Sequence, residues 1–204
     1  MIVSVGTFTI AAILIVLLPG PDTLVVVRNL IRGGRKAAIR TVFGVLSGLV
    51  VWVFAAALGL SAVLSASHDA YLALRIVGAA YLIWLGVQSL RSRGNPAEEP
   101  AASRRRLLGT GFPAGIASDL LNPKVGVFFV TFLPGFVPHG YSVGWMSLLL
   151  GGIFLVLTAI YFAILIAASG PVTRWITDVR IRRRMDRITG LILIGFGARL
   201  AIEP

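Results

Sequence analysis

Cysteine is absent from the 204 residues, and Asp and Glu together number only 8. Without cysteine there is no disulfide scaffold, no thiol redox chemistry and no Cys-ligated metal site. Charged residues make up 13% of the chain, against about 25% in a soluble domain. So sparse a polar surface cannot cover a soluble globule, which excludes a soluble enzyme and a disordered chain alike. The sequence also lacks His-Glu-x-x-His, Gly-x-Ser-x-Gly, a Walker phosphate loop and a dinucleotide fingerprint. A missing nucleotide loop argues against a self-contained ATP-driven pump, and no cofactor is expected. The opening stretch has no basic leader and no small-residue cleavage site, so it reads as a retained span.

What is present is apolar: 57% of residues are hydrophobic and the mean hydropathy is +0.90. The composition predicts an all-α, polytopic membrane protein. A spanning helix needs about 20 mostly apolar residues. Six stretches qualify: 3–27, 41–64, 71–90, 107–132, 143–168 and 188–203. The net charge of +11 invites a nucleic-acid reading, but the placement of the basic residues overrides it. Sixteen of the 19 Lys and Arg fall in connectors 28–40, 91–106 and 174–187, while 65–70 and 133–142 hold none. Cytoplasmic loops are the basic ones. Both termini are therefore expected outside a cytoplasmic or inner membrane, with lipid around the helices and no nucleic-acid partner.

The one clear linker, 93–106, falls at mid-chain and separates a first unit, 1–92, from a second, 107–204. A shift of 102 residues lays Leu18-Pro19-Gly20-Pro21-Asp22 on Leu120-Leu121-Asn122-Pro123-Lys124. A shift of 112 lays Arg75-Ile76-Val77-Gly78 on Arg187-Ile188-Thr189-Gly190. Three spans per unit is odd, so the units must cross the bilayer in opposite senses. The expected architecture is six transmembrane helices in a three-plus-three inverted repeat, a transporter signature. Pro19, Pro21 and Pro123 should break helices one and four, because proline lacks the N–H and clashes with the preceding turn. Corresponding breaks in two halves mark a binding site near the midplane.

Only Asp22, Asp119 and Lys124 are ionisable well inside the spans, and all three flank the breaks. A charge at the bilayer centre costs about 2.5–3.5 kcal/mol on insertion scales, so such residues are functional candidates. Asp22 and Lys124 are equivalent in the repeat and opposite in sign, and are expected to approach each other. Asp119 is then a second carboxylate, left without a cation and available to carry a coupling proton. The arrangement suits a zwitterion, with Lys124 and helix N-termini holding its carboxylate. Asp22 or Asp119 and freed carbonyls would hold its ammonium. Gly44-x-x-x-Gly48 and Gly111-x-x-x-Gly115 read as close helix packing. Arg75 and Arg199 lie near outer span ends, where they can snorkel, and Trp52, Trp84, Trp145 and Trp175 read as anchors or packing. His68 and His139 fall in outer loops and make no metal site.

Pro19-Gly20-Pro21-Asp22-Thr23-Leu24, followed by Arg28-Asn29 and Gly33-Gly34-Arg35, resembles the LysE-type amino-acid exporters. So do Gly78 to Gly86 (GAAYLIWLG) and Asn122-Pro123-Lys124 with Phe128-Phe129. The likeness is nearest to the homoserine/threonine-exporting branch, since residues 41–64 carry no acid to offset a cationic substrate. It implies six helices, efflux of an amino acid or related metabolite, coupling to protons or another ion, and a homodimer. It carries Pro19, Gly20, Pro21, Asp22, Thr23, Asn122, Pro123 and Lys124 over as site residues, beside Asp119. The expected function is a secondary exporter of small neutral amino acids, not an enzyme. Three rivals stand against it. An inorganic-ion or metal exporter is disfavoured by the missing Cys and intramembrane His. In a two-aspartate intramembrane hydrolase, Lys124 would spoil the shared proton. A membrane assembly factor would tolerate loss of both aspartates.

Overall fold

The computed structural model describes residues 2–66, 68–91, 109–138, 140–168 and 178–202, and among them there is no strand. Helix α1 runs Ile2–Leu17, α2 Pro21–Ala66 and α3 His68–Arg91. After them come α4 (Phe112–Leu120) and α5 (Pro123–Val127). Helix α5 continues through a π-helical turn, Phe128–Phe132, and a 3-10 turn, Leu133–Phe136. The last two are α6 (Val143–Ala167) and α7 (Val179–Ile202). The expected linker 93–106, with Arg104, Arg105 and Arg106, lies outside the described residues, as do His139 and Trp175. Among the described residues two helices are long and apolar enough to cross a membrane unaided, Pro21–Gly59 and Val143–Ala167.

Both expected breaks are present, and each has a local cause. Helix α1 stops at Leu17 and the chain restarts at Pro21, leaving Pro19 and Gly20 in a non-helical step. At the second break Asn122 leaves helical geometry (φ −79°, ψ 106°), and its Oδ1 accepts the Lys124 N–H at 3.1 Å. That is an N-cap, which satisfies one of the free donors of a helix start. Pro123 then takes the first helical position, where a missing N–H costs nothing.

Two expected connectors turn out helical where they are described. Residues 28–40 lie within α2, interrupted only at Gly34 (φ 69°, ψ −171°). A left-handed glycine turns the chain in one residue, so no loop is needed. Val26, Val27 and Leu30 before the kink then pack with Ala38 and Val45 after it. The other case is 174–187, where α7 starts at Val179, well before the expected 188. Asp178 Oδ1 accepts the N–H of Arg180 at 2.7 Å and of Ile181 at 3.2 Å, capping the helix. Arginine is a good helix former. Arg180, Arg182, Arg183, Arg184 and Arg187 are therefore helical, while Arg174 lies outside the described residues; a charge count does not tell helix from loop. His68 likewise opens α3 rather than sitting in a loop.

The helix pairs are α3 along α7, α6 against α1 and α2, and α4 across the second half of α2. At that last crossing a Cβ on Gly115 would strike the Thr41 carbonyl, and one on Gly44 the Phe112 carbonyl. The two backbones touch at this crossing. Gly115→Val should cost about 1–3 kcal/mol by overpacking. The check is a detergent thermal-melting curve; an unchanged midpoint would mean that the crossing is looser than drawn.

One end of the bundle is filled by rings. Phe8, Phe128, Phe129, Phe132, Phe136 and Phe154 are all buried, with Phe128 and Phe154 centroids 4.8 Å apart and Phe8 and Phe136 5.4 Å apart. The opposite end, around the Gly34 kink, is held by a smaller aliphatic cluster with Phe162 and Leu165.

Candidate functional site

The two breaks lie side by side, and each is braced by a residue from the other. The Lys124 ammonium donates to the Ile15 carbonyl at 2.8 Å and the Leu18 carbonyl at 2.9 Å. The Ile15 carbonyl lost its helical donor at Pro19, which has no N–H, and otherwise accepts only the Leu18 N–H at 3.3 Å, while Leu18 stands just past the end of α1. A cation is also the right charge for the negative end of a helix. Gly20 lies beside the lysine: a Cβ there would be in ordinary van der Waals contact with the ammonium, 3.8 Å away.

In the opposite direction, Asp22 in the first turn of α2 receives two hydrogens from the second half. Ser118 Oγ donates to Oδ1 and Asn122 Nδ2 donates to Oδ2, each at 2.6 Å. Both ends of the Asn122 amide are thus engaged, its oxygen capping α5 and its nitrogen on Asp22, and this double duty fixes which way the amide faces. Asp22, Ser118 and Asn122 are all buried.

The expectation that Asp22 and Lys124 come together holds to the extent that both line one small cavity. The lysine's hydrogen bonds, however, go to the α1 carbonyls. Thr23 lines the same cavity, its Oγ1 3.3 Å from Tyr161 Oη on α6. Val45, Leu49, Phe154 and Phe162 supply an apolar wall. Pro19, Gly20 and Pro21 are half-buried around the first break, and Pro123 is exposed at the second.

Asp119 sits apart from this network. It is fully buried, and neither carboxyl oxygen has a hydrogen-bond partner. Its side chain fills the space left by Gly48, where a Cβ would collide with it. Its backbone carbonyl accepts the Asn122 N–H at 3.0 Å and the Trp52 indole N–H at 3.4 Å. Trp52 is accordingly a packing residue, lying against Gly126. Trp84 and Trp145 are exposed on the bundle surface, and Arg199 lies over the Phe136 ring, 5.6 Å from its centroid.

Sequence reasoning missed Ser118, Thr158 and Tyr161. Ser118 had a readable signal, because it stands four residues before Asn122 and so faces the same way. Thr158 and Tyr161 sit among apolar α6 residues with no break or charge nearby to single them out.

Residues 13–204 match the family model described as LysE type translocator. The chain is 32% identical to the uncharacterized membrane protein YrhP of Bacillus subtilis (strain 168), over 94% of this chain and 95% of that relative. It is 30% identical to the uncharacterized membrane protein PA4757 of Pseudomonas aeruginosa, over 96% of this chain and 93% of the other. It is also 30% identical to the leucine efflux protein of Salmonella typhimurium, over 98% of this chain and 95% of that one. No solved structure matches the chain.

Proposed function

The chain belongs to the LysE-type translocator family, and on that premise we propose that it exports small neutral amino acids across the cytoplasmic membrane as a secondary transporter. The observation that carries this reading is the buried polar cluster of Asp22, Ser118 and Asn122 beside Lys124. It stands where two helices break, in a chain with too few charges to spend any on plain packing. A membrane interior tolerates irregular backbone only where protein or a cavity satisfies it. Here the satisfying groups come from the other half of the chain, which supports a three-plus-three inverted repeat of six spans with the site between the halves. The basic Gly34 end faces the cytoplasm in this reading, and both termini face outward.

The substrate's carboxylate would take the Lys124 ammonium from the α1 carbonyls, and its ammonium would bind those carbonyls and Asp22. Each exchange loosens one brace between the halves, so occupancy favours their relative movement. The apolar wall of Val45, Leu49, Phe154 and Phe162 supports an uncharged substrate side chain. Leucine, named for the Salmonella relative, suits it, and threonine and homoserine remain within the same class. We assign Asp119 to a coupling proton, because the carboxyl is buried with no internal partner and lines the same cavity. A homodimer is part of the same proposal.

Counterflow in proteoliposomes tests it. Vesicles preloaded with unlabelled leucine, threonine or homoserine should accumulate the labelled amino acid saturably, with lysine and arginine inert. Exchange of lysine or arginine alone would overturn the neutral-substrate assignment. Failure to exchange any amino acid would overturn the exporter reading.

A further inference from the structure

Asn29 stands seven residues after Asp22 on α2, which is two helical turns and about 10 Å further along the same face. It is 1% exposed, and neither the nitrogen nor the oxygen of its amide has a hydrogen-bond partner. An unmet polar group in such a place costs on the order of 1–3 kcal/mol. Its helix neighbours Val26, Val27 and Leu30 pack with Ala38, Phe162 and Leu165. A leucine would sit among them with no polar group to satisfy, so packing in this conformation does not account for an amide.

This end of the bundle is also the lightly fastened one. The phenylalanine cluster closes the far end, whereas here the closure is a smaller, mainly aliphatic cluster with Phe162 and an exposed clasp. Arg35, the residue after the Gly34 kink, donates to the Ala167 carbonyl at 3.1 Å and the Ile166 carbonyl at 3.5 Å, at the last turn of α6. Solvent-exposed hydrogen bonds contribute little net stability, so this clasp opens at low cost. Movement of the Pro21–Gly33 segment away from α6 would lay open the face that carries Asn29 and, beyond it, Asp22.

We propose that Asn29 is a substrate-binding residue of the cytoplasmic passage to the Asp22 site, buried in this closed conformation and bared when the Gly34 end opens. The proposal rests on the exporter reading. A primary amide can accept from an ammonium and donate to a carboxylate, so it meets both ends of a zwitterion without trapping it by charge.

The test uses the full chain in proteoliposomes with labelled leucine, threonine and homoserine. Asn29→Leu should raise the melting temperature by roughly 3–6 °C, as the unmet amide is removed. It should also slow exchange on the order of tenfold or more, as the closed state gains about 1.4 kcal/mol or more. Asn29→Cys, the only thiol in an otherwise cysteine-free chain, should react with a water-soluble methanethiosulfonate reagent. Saturating unlabelled substrate should slow that reaction. A lowered melting temperature with exchange unchanged in Asn29→Leu would identify a structural amide and overturn the proposal. So would an Asn29→Cys protein that exchanges substrate yet stays inert to the reagent, whether or not the leucine variant folds. Wild-type protein that exchanges none of the three amino acids overturns the exporter reading instead, and the role of Asn29 goes with it.

Discussion

Lys124→Met is expected to lose all measurable exchange and to melt several degrees lower than the parent chain. Methionine keeps most of the stem and removes only the ammonium, so the loss reads the charge and its hydrogen bonds. The Leu18 carbonyl would lose the donor that now meets it at 2.9 Å, and the Ile15 carbonyl, now met at 2.8 Å, would be left with the Leu18 N–H alone, at 3.3 Å. An orphaned buried acceptor costs about 1–3 kcal/mol. At roughly 2–4 °C per kcal/mol for a chain of this size, the midpoint should fall clearly outside error. Lys124→Arg should recover much of the stability and little of the exchange. Guanidinium keeps the charge but presents a rigid planar fork in place of a compact ammonium. Melting and counterflow measured on the same preparations decide it. Lys124→Met that exchanges substrate normally would remove the lysine from the site, whatever its effect on melting.

The breaks were legible in the sequence because proline acts locally. Pro21 and Pro123 stop a helix whatever surrounds them, and the charges beside them stood out against an apolar background. The choice of partners was not legible, because it depends on the distance between halves. Nothing in the order of residues says that Lys124 bonds the carbonyls of Ile15 and Leu18, or that Ser118 joins Asn122 on Asp22. The Gly34 kink shows the same limit. Five basic residues over 28–40 look like a loop, yet a left-handed glycine lets helix run almost throughout. Asn29 lay inside that stretch, unremarked for chemistry until its burial and its unmet amide were known.

Asp22→Asn should separate charge from architecture. The new amide can turn its oxygen toward Asn122 Nδ2 and its nitrogen toward Ser118, whose hydroxyl rotates and accepts as readily as it donates. The reverse orientation is closed, because Asn122 cannot flip without losing its cap on the Lys124 N–H. One workable arrangement remains, so melting should move by no more than a few degrees. Exchange should nevertheless fall on the order of a hundredfold, the scale of removing one member of a buried, hydrogen-bonded charged set. A double-mutant cycle supplies the internal control. Ser118→Ala alone leaves a buried carboxylate oxygen without its donor, whereas combined with Asp22→Asn it leaves only a neutral N–H unmet. The double variant should therefore be destabilised by less than the two single changes sum to. Additive melting shifts would mean that the Asp22–Ser118 contact is not the one drawn at 2.6 Å. Exchange retained in Asp22→Asn would show that the carboxylate positions the two halves without holding substrate charge. The search for the ammonium site would then move to the α1 carbonyls themselves.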